Sequence, residues 1–513
     1  MGLGRTQAVG LLGIDGFVVD VESDVSPGLP AFTIGGRADT ACAQAPDRVR
    51  AGAANCGHPI PQRRVTINLS PASVPKIGSG FDLAIVVATL VAAGEIPQRQ
   101  VADVVHVGEL GLDGSVRAVR GVLPLVVAAR RASVTRVVVP LACAAEARLV
   151  DGIEVIPVSS LHELVLRYRA LDRGETPPAL ADPPVPEESA PPVPDLADVV
   201  GQALARVALE VAAAGGHHLY LVGPPGAGKS MLAERLPGLL PPLTDEQALE
   251  VSAIASITGR LASGAGLCRR APLVAPHHGA SMAALIGGGS GLVMPGAVTQ
   301  AHHGVLFLDE APEFNGSVLQ ALRQPIETGV VVVARASGRY RFPCRFQLVL
   351  AANPCPCGFG FGKGERCTCS TVQLRGYANR LSGPLLDRID LQVHVPTPPR
   401  AALLGPPGET SATVAARVLT ARATQAERWE DTGYAVNGQV PGPILRSRPF
   451  RLSADCTVDL DRAVDHGLLS LRGYDRCLRV AWTIADLAGR TSPERHDVGV
   501  ALSMRRHRAR AAS

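Results

Sequence analysis

Apolar and polar positions divide the chain into two patterned halves. In the first, short β-rich runs at Phe17–Val21, Arg64–Leu69, Val104–Val107 and Arg136–Val139 predict strands. They alternate with helical stretches at Asp47–Cys56, Phe81–Ala93 and Val122–Arg131, which predicts an α/β or α+β domain over residues 1–171. The apolar-poor stretch GETPPALADPPVPEESAPPVPD can form neither a helix nor a central strand and reads as a semi-extended linker over 172–195. Beyond it, the apolar strand His218–Val222 runs into a glycine-rich turn and then a helix, Lys229–Leu236. Gly304–Leu308 and Phe346–Ala351 are near-continuous apolar runs of the kind buried in a parallel sheet. Val330–Phe342 predicts a hairpin between them. This sheet domain spans 196–398, and from 399 to 513 the pattern becomes mostly helical and arginine-rich, as a lid would be. No internal repeat is evident.

Composition narrows the class without fixing a partner. A chain of 513 residues has room for about three domains. With 46% hydrophobic and 19% charged residues it is an ordinary globular composition. A formal net charge of +4 permits nucleic-acid binding without arguing for it. The longest apolar run, Ala84–Ala93, falls short of the roughly 20 residues a bilayer requires. The N-terminus lacks a charged segment followed by an apolar one, so a cytoplasmic protein is expected, with no membrane partner. Eleven cysteines then imply free thiols and a metal site, not a disulfide framework. Basic charge is almost all arginine; the lysines are Lys76, Lys229 and Lys363.

Lys229 lies in GPPGAGKS, Gly223–Ser230, a complete G-x-x-x-x-G-K-[ST] pattern in the required strand–turn–helix setting. Gly223, Gly226 and Gly228 let backbone N–H groups wrap the phosphates, and Pro224, Pro225 and Ala227 complete the cofactor-binding turn, the two prolines without donors of their own. Lys229 neutralises the β- and γ-phosphates of ATP, Ser230 ligates Mg²⁺, and the helix N-terminus adds its dipole. VLFLDE, Val305–Glu310, ends an apolar strand in two adjacent acids. Asp309 is the metal-side residue and Glu310 the general base or water-positioner; the alternative is a pair of solvated strand-end caps. Asn353, after the next apolar strand, could polarise the same water or be a plain turn residue before Pro354.

NPCPCGFGFGKGERCTCS places Cys355, Cys357, Cys367 and Cys369 as two C-x-C pairs around a glycine-rich loop. Four thiolates brought together suit tetrahedral Zn²⁺; free thiols or a redox pair are the alternatives. His277, His278, His302 and His303 could serve as loop contacts, nucleotide neighbours or metal ligands. Arg335, Arg339 and Arg341 on the predicted hairpin could grip phosphates of DNA or simply face solvent.

These motifs, with GLPAFTIGG, RVTINLSPASVPKIGSGFDL, APHHGASMAALIGGG, AHHGVLFLDEAPEF, LSGPLLDRIDL and LSLRGYDRCLRVAWTIADL, resemble the magnesium-chelatase branch of AAA+ ATPases and, over nearly the full length, the YifB/ComM family. The resemblance implies a P-loop AAA+ core with a C-terminal helical lid carrying sensor 2. It assigns Arg388 as an arginine finger reaching a neighbour's site, the alternative being a salt bridge to Asp387 or Asp390. It assigns Arg472 as the sensor-2 arginine, with Arg476 one helical turn on as the fallback. A homo-oligomeric ring, a hexamer, follows. ComM-like proteins are associated with ATP-driven branch migration of recombination intermediates, which implies DNA as partner; a protein-remodelling or metal-chelatase-type ATPase is the alternative. VPKIGSGFDL and VGELGLDGSVRAVRGVLP resemble the Lon-type proteolytic domain, but Gly80 stands at the nucleophile position and the base position falls near Leu123. A serine with no base is inert, so the domain is read as catalytically inactive.

Overall fold

In the computed structural model, which describes residues 2–181, 194–262, 264, 266–289, 293–335, 338–360, 366–381, 383–400 and 408–505, the first half is organised around one mixed sheet. Its strands are β1 (Gly2–Leu12), β2 (Asp15–Ser26), β3 (Ala31–Gly35), β4 (Arg64–Ser70), β5 (Val104–His106), β6 (Arg136–Pro140) and β7 (Glu154–Val158). They lie in the order β3-β4-β2-β1-β5-β6-β7. The long β1–β2 hairpin is antiparallel, with Leu12 opposite Asp15. One face is covered by Asp82–Ala92, buried at every residue and apolar but for Asp82, which pairs with Arg48, and Thr89, which accepts from Ser23. That helix sits so close that a Cβ on Gly4 would fall 2.1 Å from the Ala88 carbonyl oxygen. The other face takes helix Val122–Arg131, where a Cβ on Gly16 would meet that of Ala128 at 2.3 Å.

The second half holds a fully parallel sheet. Its strands are β8 (Leu219–Val222), β9 (Leu273–Val274), β10 (Val305–Leu308), β13 (Gln347–Ala352) and β14 (Leu391–His394), in the order β9-β10-β13-β8-β14. β8, β10 and β13 are buried throughout, as their apolar sequences require, with Gln347 at the start of β13 the one polar amide side chain among them. β11 (Val330–Arg335) and β12 (Gly338–Pro343) form the expected hairpin, with Arg335 opposite Gly338. Outer strands β9 and β14 are too short or too polar to stand out in the sequence.

Helices Ser411–Trp429, Ala454–Asp465, Leu471–Leu487 and Arg495–Ser503 pack with Ala203–Gly215 into one apolar cluster that includes Leu219 and Leu221 of β8. The lid is therefore continuous with the core. Of the segment expected as a linker, residues 182–193 lie outside the described residues, as does Lys363. Its end is not free chain: the Asp195 carboxylate accepts hydrogen bonds from the Ala197 and Ser411 amides at 2.7 and 3.1 Å. The two halves touch. Helix Val122–Arg131 packs on Asp245–Ile257, Ser256 donates to Glu146, and Leu12 and Ile14 at the β1–β2 tip join the core cluster containing Phe342. Among the described residues no helix is long and apolar enough to cross a membrane.

Candidate nucleotide site

β8, β10 and β13 are adjacent and parallel, so the residues following each strand emerge along one edge. In open parallel sheets ligands bind at this carboxyl end. Gly223 follows β8 where a Cβ would lie 2.0 Å from the Val395 carbonyl oxygen, so nothing larger than glycine fits. Gly226 and Gly228 adopt φ of +74° and +89°, and the second immediately precedes helix Lys229–Arg235. The Lys229 ammonium folds over the turn, donating to the Gly223 and Pro224 carbonyls at 2.8 and 3.0 Å and to Asn353 Oδ1 at 3.2 Å. Burial lowers its pKa, while Asp309 and Glu310 oppose that shift. An ammonium occupied by neutral carbonyls and an amide can exchange them for phosphate oxygens.

The Ser230 hydroxyl donates to Asp309 Oδ2 at 2.7 Å, which brings together the two groups expected at Mg²⁺. Glu310 adopts φ +49°, a left-handed conformation unusual for a side-chain-bearing residue. This turn separates the two carboxylates: Asp309 faces Ser230, while Glu310 lies 3.3 Å from His278 Nδ1 and remains half exposed. Their divergence fits one acid for metal and one for water. Gln202 went unnoticed in the sequence: in a left-handed turn (φ +54°), it donates to the Ala227 carbonyl at 2.9 Å and to that of Pro396. Its only sequence signal is its place just before helix Ala203–Gly215.

The three remaining arginine candidates are placed differently. Arg388, only 6% exposed, bonds the Pro384 carbonyl at 2.6 Å and pairs with Glu327, not with Asp387 or Asp390. Asp390 is taken by Arg476 Nη1 at 2.6 Å and by the His218 amide at 2.9 Å, tying the lid to the core. Burial alone would raise the Asp390 carboxyl; Arg476, then His217 and His218, outweigh it and hold it well below the usual carboxylate range. Arg472, near the start of helix Leu471–Leu487, is exposed.

The four cysteines converge, their sulfurs all within 4.8 Å of one another. Glu250 forms a second cluster with His302 and His303, whose Nε2 atoms lie 3.0 and 2.9 Å from one carboxylate oxygen. His302 Nδ1 accepts from the Arg345 amide, so its Nε2 carries the proton and donates to Glu250. In that tautomer His302 offers no lone pair at Nε2 to a metal and bridges the Arg345 amide to Glu250. In the N-terminal half, Ser79 donates to Glu109, and the buried Lys76 ammonium donates to the Pro71 carbonyl. No serine–lysine dyad forms between them.

Three family profiles tile the chain: magnesium chelatase, subunit ChlI, over residues 195–403; subunit ChlI of Mg-chelatase over 21–142; and subunit ChlI C-terminal over 408–505. An uncharacterized protein of Mycobacterium tuberculosis strain H37Rv is 49% identical across 99% of this chain and 100% of its own. Competence protein ComM of Haemophilus influenzae is 38% identical across 93% of this chain and 92% of its own. Uncharacterized protein YifB of Escherichia coli K12 matches with the same identity and coverage. A segment covering 21% of the chain is 33% identical to an archaeal Lon protease of Methanocaldococcus jannaschii.

Proposed function

The chain belongs to the YifB/ComM family of magnesium-chelatase-like AAA+ proteins, and from that premise we propose that it is an ATP-hydrolysing ring motor acting on DNA. The observation carrying the ATPase reading is the convergence of Lys229, Ser230, Asp309 and Asn353 through direct hydrogen bonds at the carboxyl edge of one parallel sheet. In this reading the Gly226, Ala227 and Gly228 amides and Lys229 bind the β- and γ-phosphates, and Ser230 and Asp309 hold Mg²⁺. The metal supplies charge neutralisation to the transferring phosphoryl group. Glu310 takes the proton of the attacking water, and Asn353, released by Lys229 when phosphate arrives, orients that water. Arg388 would exchange Glu327 for a neighbouring subunit's γ-phosphate, making the assembled hexamer the active form. Arg472 would complete the site from the lid.

DNA as substrate is supported by the β11–β12 hairpin. Val331, Val333, Tyr340 and Phe342 bury one face, which leaves Arg339 and Arg341 exposed on the other. ATP turnover measured with and without forked or four-way DNA tests this. Stimulation by DNA that declines steeply with salt is expected. Stimulation by a protein or porphyrin partner instead would favour a remodelling or chelatase-type ATPase.

A further inference from the structure

The cysteine cluster lies where the nucleotide site is built. β13 ends at Ala352, Asn353 touches Lys229, and Cys355 follows two residues later. Cys355–Cys367 and Cys357–Cys367 sulfur separations are 3.8 and 3.7 Å, and Cys355–Cys357 is 3.3 Å. At a Zn–S bond of about 2.3 Å, a regular tetrahedron has sulfur–sulfur edges of about 3.8 Å. A disulfide would need a separation near 2.05 Å, which none of these pairs approaches. The surrounding backbone is shaped to the sulfurs. The Gly360 amide donates to Cys355 Sγ at 3.1 Å, and a Cβ on Gly360 would sit 2.9 Å from the same atom and 3.7 Å from Cys367 Sγ. Amide donation to a ligating sulfur is the kind of outer contact that orients metal ligands.

Two further contacts lead from the cluster to the site. Gly358, at φ +79°, lies so close to Pro225 of the phosphate loop that a Cβ there would approach its ring to 2.6 Å. On the other side, Cys369 leads through Ser370, which caps helix Thr371–Arg380 with Gln373 in a reciprocal pair. That helix sends Tyr377 back to the Asn353 backbone and pairs Arg380 with Glu313, just after Glu310, at 2.7 Å.

We infer that Cys355, Cys357, Cys367 and Cys369 bind one Zn²⁺, and that the loaded cluster clamps the Asn353 turn and Pro225 in place, making ATP affinity depend on a metal that takes no part in hydrolysis. The coupling rests on the nucleotide-site reading; the metal site does not. The test uses the full chain expressed with zinc and freed of loose metal by chelator and gel filtration. Metal analysis should find about one zinc per chain, and replacement by Co²⁺ should give the absorption of a tetrahedral thiolate site. Cys357→Ser with Cys369→Ser should lose the metal and weaken ATP binding by about tenfold or more, whereas Cys268→Ser should change neither. A zinc-free unmutated chain with no cobalt–thiolate spectrum would overturn the site without relying on a variant that folds. Metal bound but ATP affinity unmoved by its loss would overturn the coupling. Metal bound to an unmutated chain that binds no ATP would overturn the nucleotide reading and the coupling with it, leaving the metal site established.

Discussion

Lys229 illustrates how much one residue's chemistry can convey. A rare lysine inside a glycine turn announces phosphate binding in the sequence, and the structure places it against Asn353, 124 positions later. Lys229→Ala should therefore abolish ATP binding. Glu310→Gln should still bind ATP but hydrolyse it about 10²–10⁴-fold more slowly, measured by phosphate release; unchanged hydrolysis would refute its role as base. Arg472 and Arg476 separate by their surroundings. Arg476→Ala leaves Asp390 buried and unpaired, which costs about 3–5 kcal/mol and should lower the melting temperature. Arg472→Ala, at an exposed position, should lower ATP turnover with little change in melting. Residues whose role depends on a distant partner were not legible. Neither Gln202 over the Ala227 carbonyl nor Glu327 beside Arg388 belongs to a local pattern.

At the scale of elements, the buried strands β8, β10 and β13 were readable because a strand covered on both faces writes an unbroken apolar run. Their ends shifted by a residue or so: β13 runs Gln347–Ala352, with Gln347 donating to the Ala212 and His217 carbonyls at 2.7 and 3.0 Å. A side chain that satisfies buried carbonyls is invisible to a polarity pattern. β1 was missed because glycines and polar residues interrupt it, although Gly2 and Gly4 are what permit the close approach of helix Asp82–Ala92; β3, five half-exposed or exposed residues long, was too short to stand out. The strand–turn–helix of the nucleotide site is similarly constrained. Gly223→Ala would drive its methyl into the Val395 carbonyl, destabilising the chain by about 1–3 kcal/mol. Thermal denaturation should show that loss even without nucleotide.

Across the whole molecule, the three-part architecture of sheet domain, parallel-sheet core and helical lid follows the sequence patterns, but the contacts joining the parts do not. Buried histidines lie in two of these parts. His106 is hydrogen-bonded to Thr6 and Tyr168, and burial lowers its pKa to about 3. Burial likewise lowers His217 and His218, beside Asp390, to about 4. An unfolded histidine titrates near 6.5, so between that pH and about 4 the unfolded chain binds more protons. Their contribution is complete above pH 6.5 or so and declines as pH falls towards the folded values. The Asp390 carboxyl, depressed in the folded state, adds a loss only below about pH 4. Melting temperature should thus fall steadily from pH 7 to pH 5, before any carboxylate contribution is lost; a flat profile over that interval would contradict the histidine assignment.

The central claim is that the glycine turn, Lys229 and the Ser230–Asp309 pair enclose Mg–ATP. Equilibrium titration with ATP and Mg²⁺, at subunit concentrations high enough for assembly, tests it most directly. Saturable binding by the unmutated chain and by Glu310→Gln, lost in Lys229→Ala, is the predicted result. No binding by the unmutated chain, or equal binding by Lys229→Ala, would contradict it.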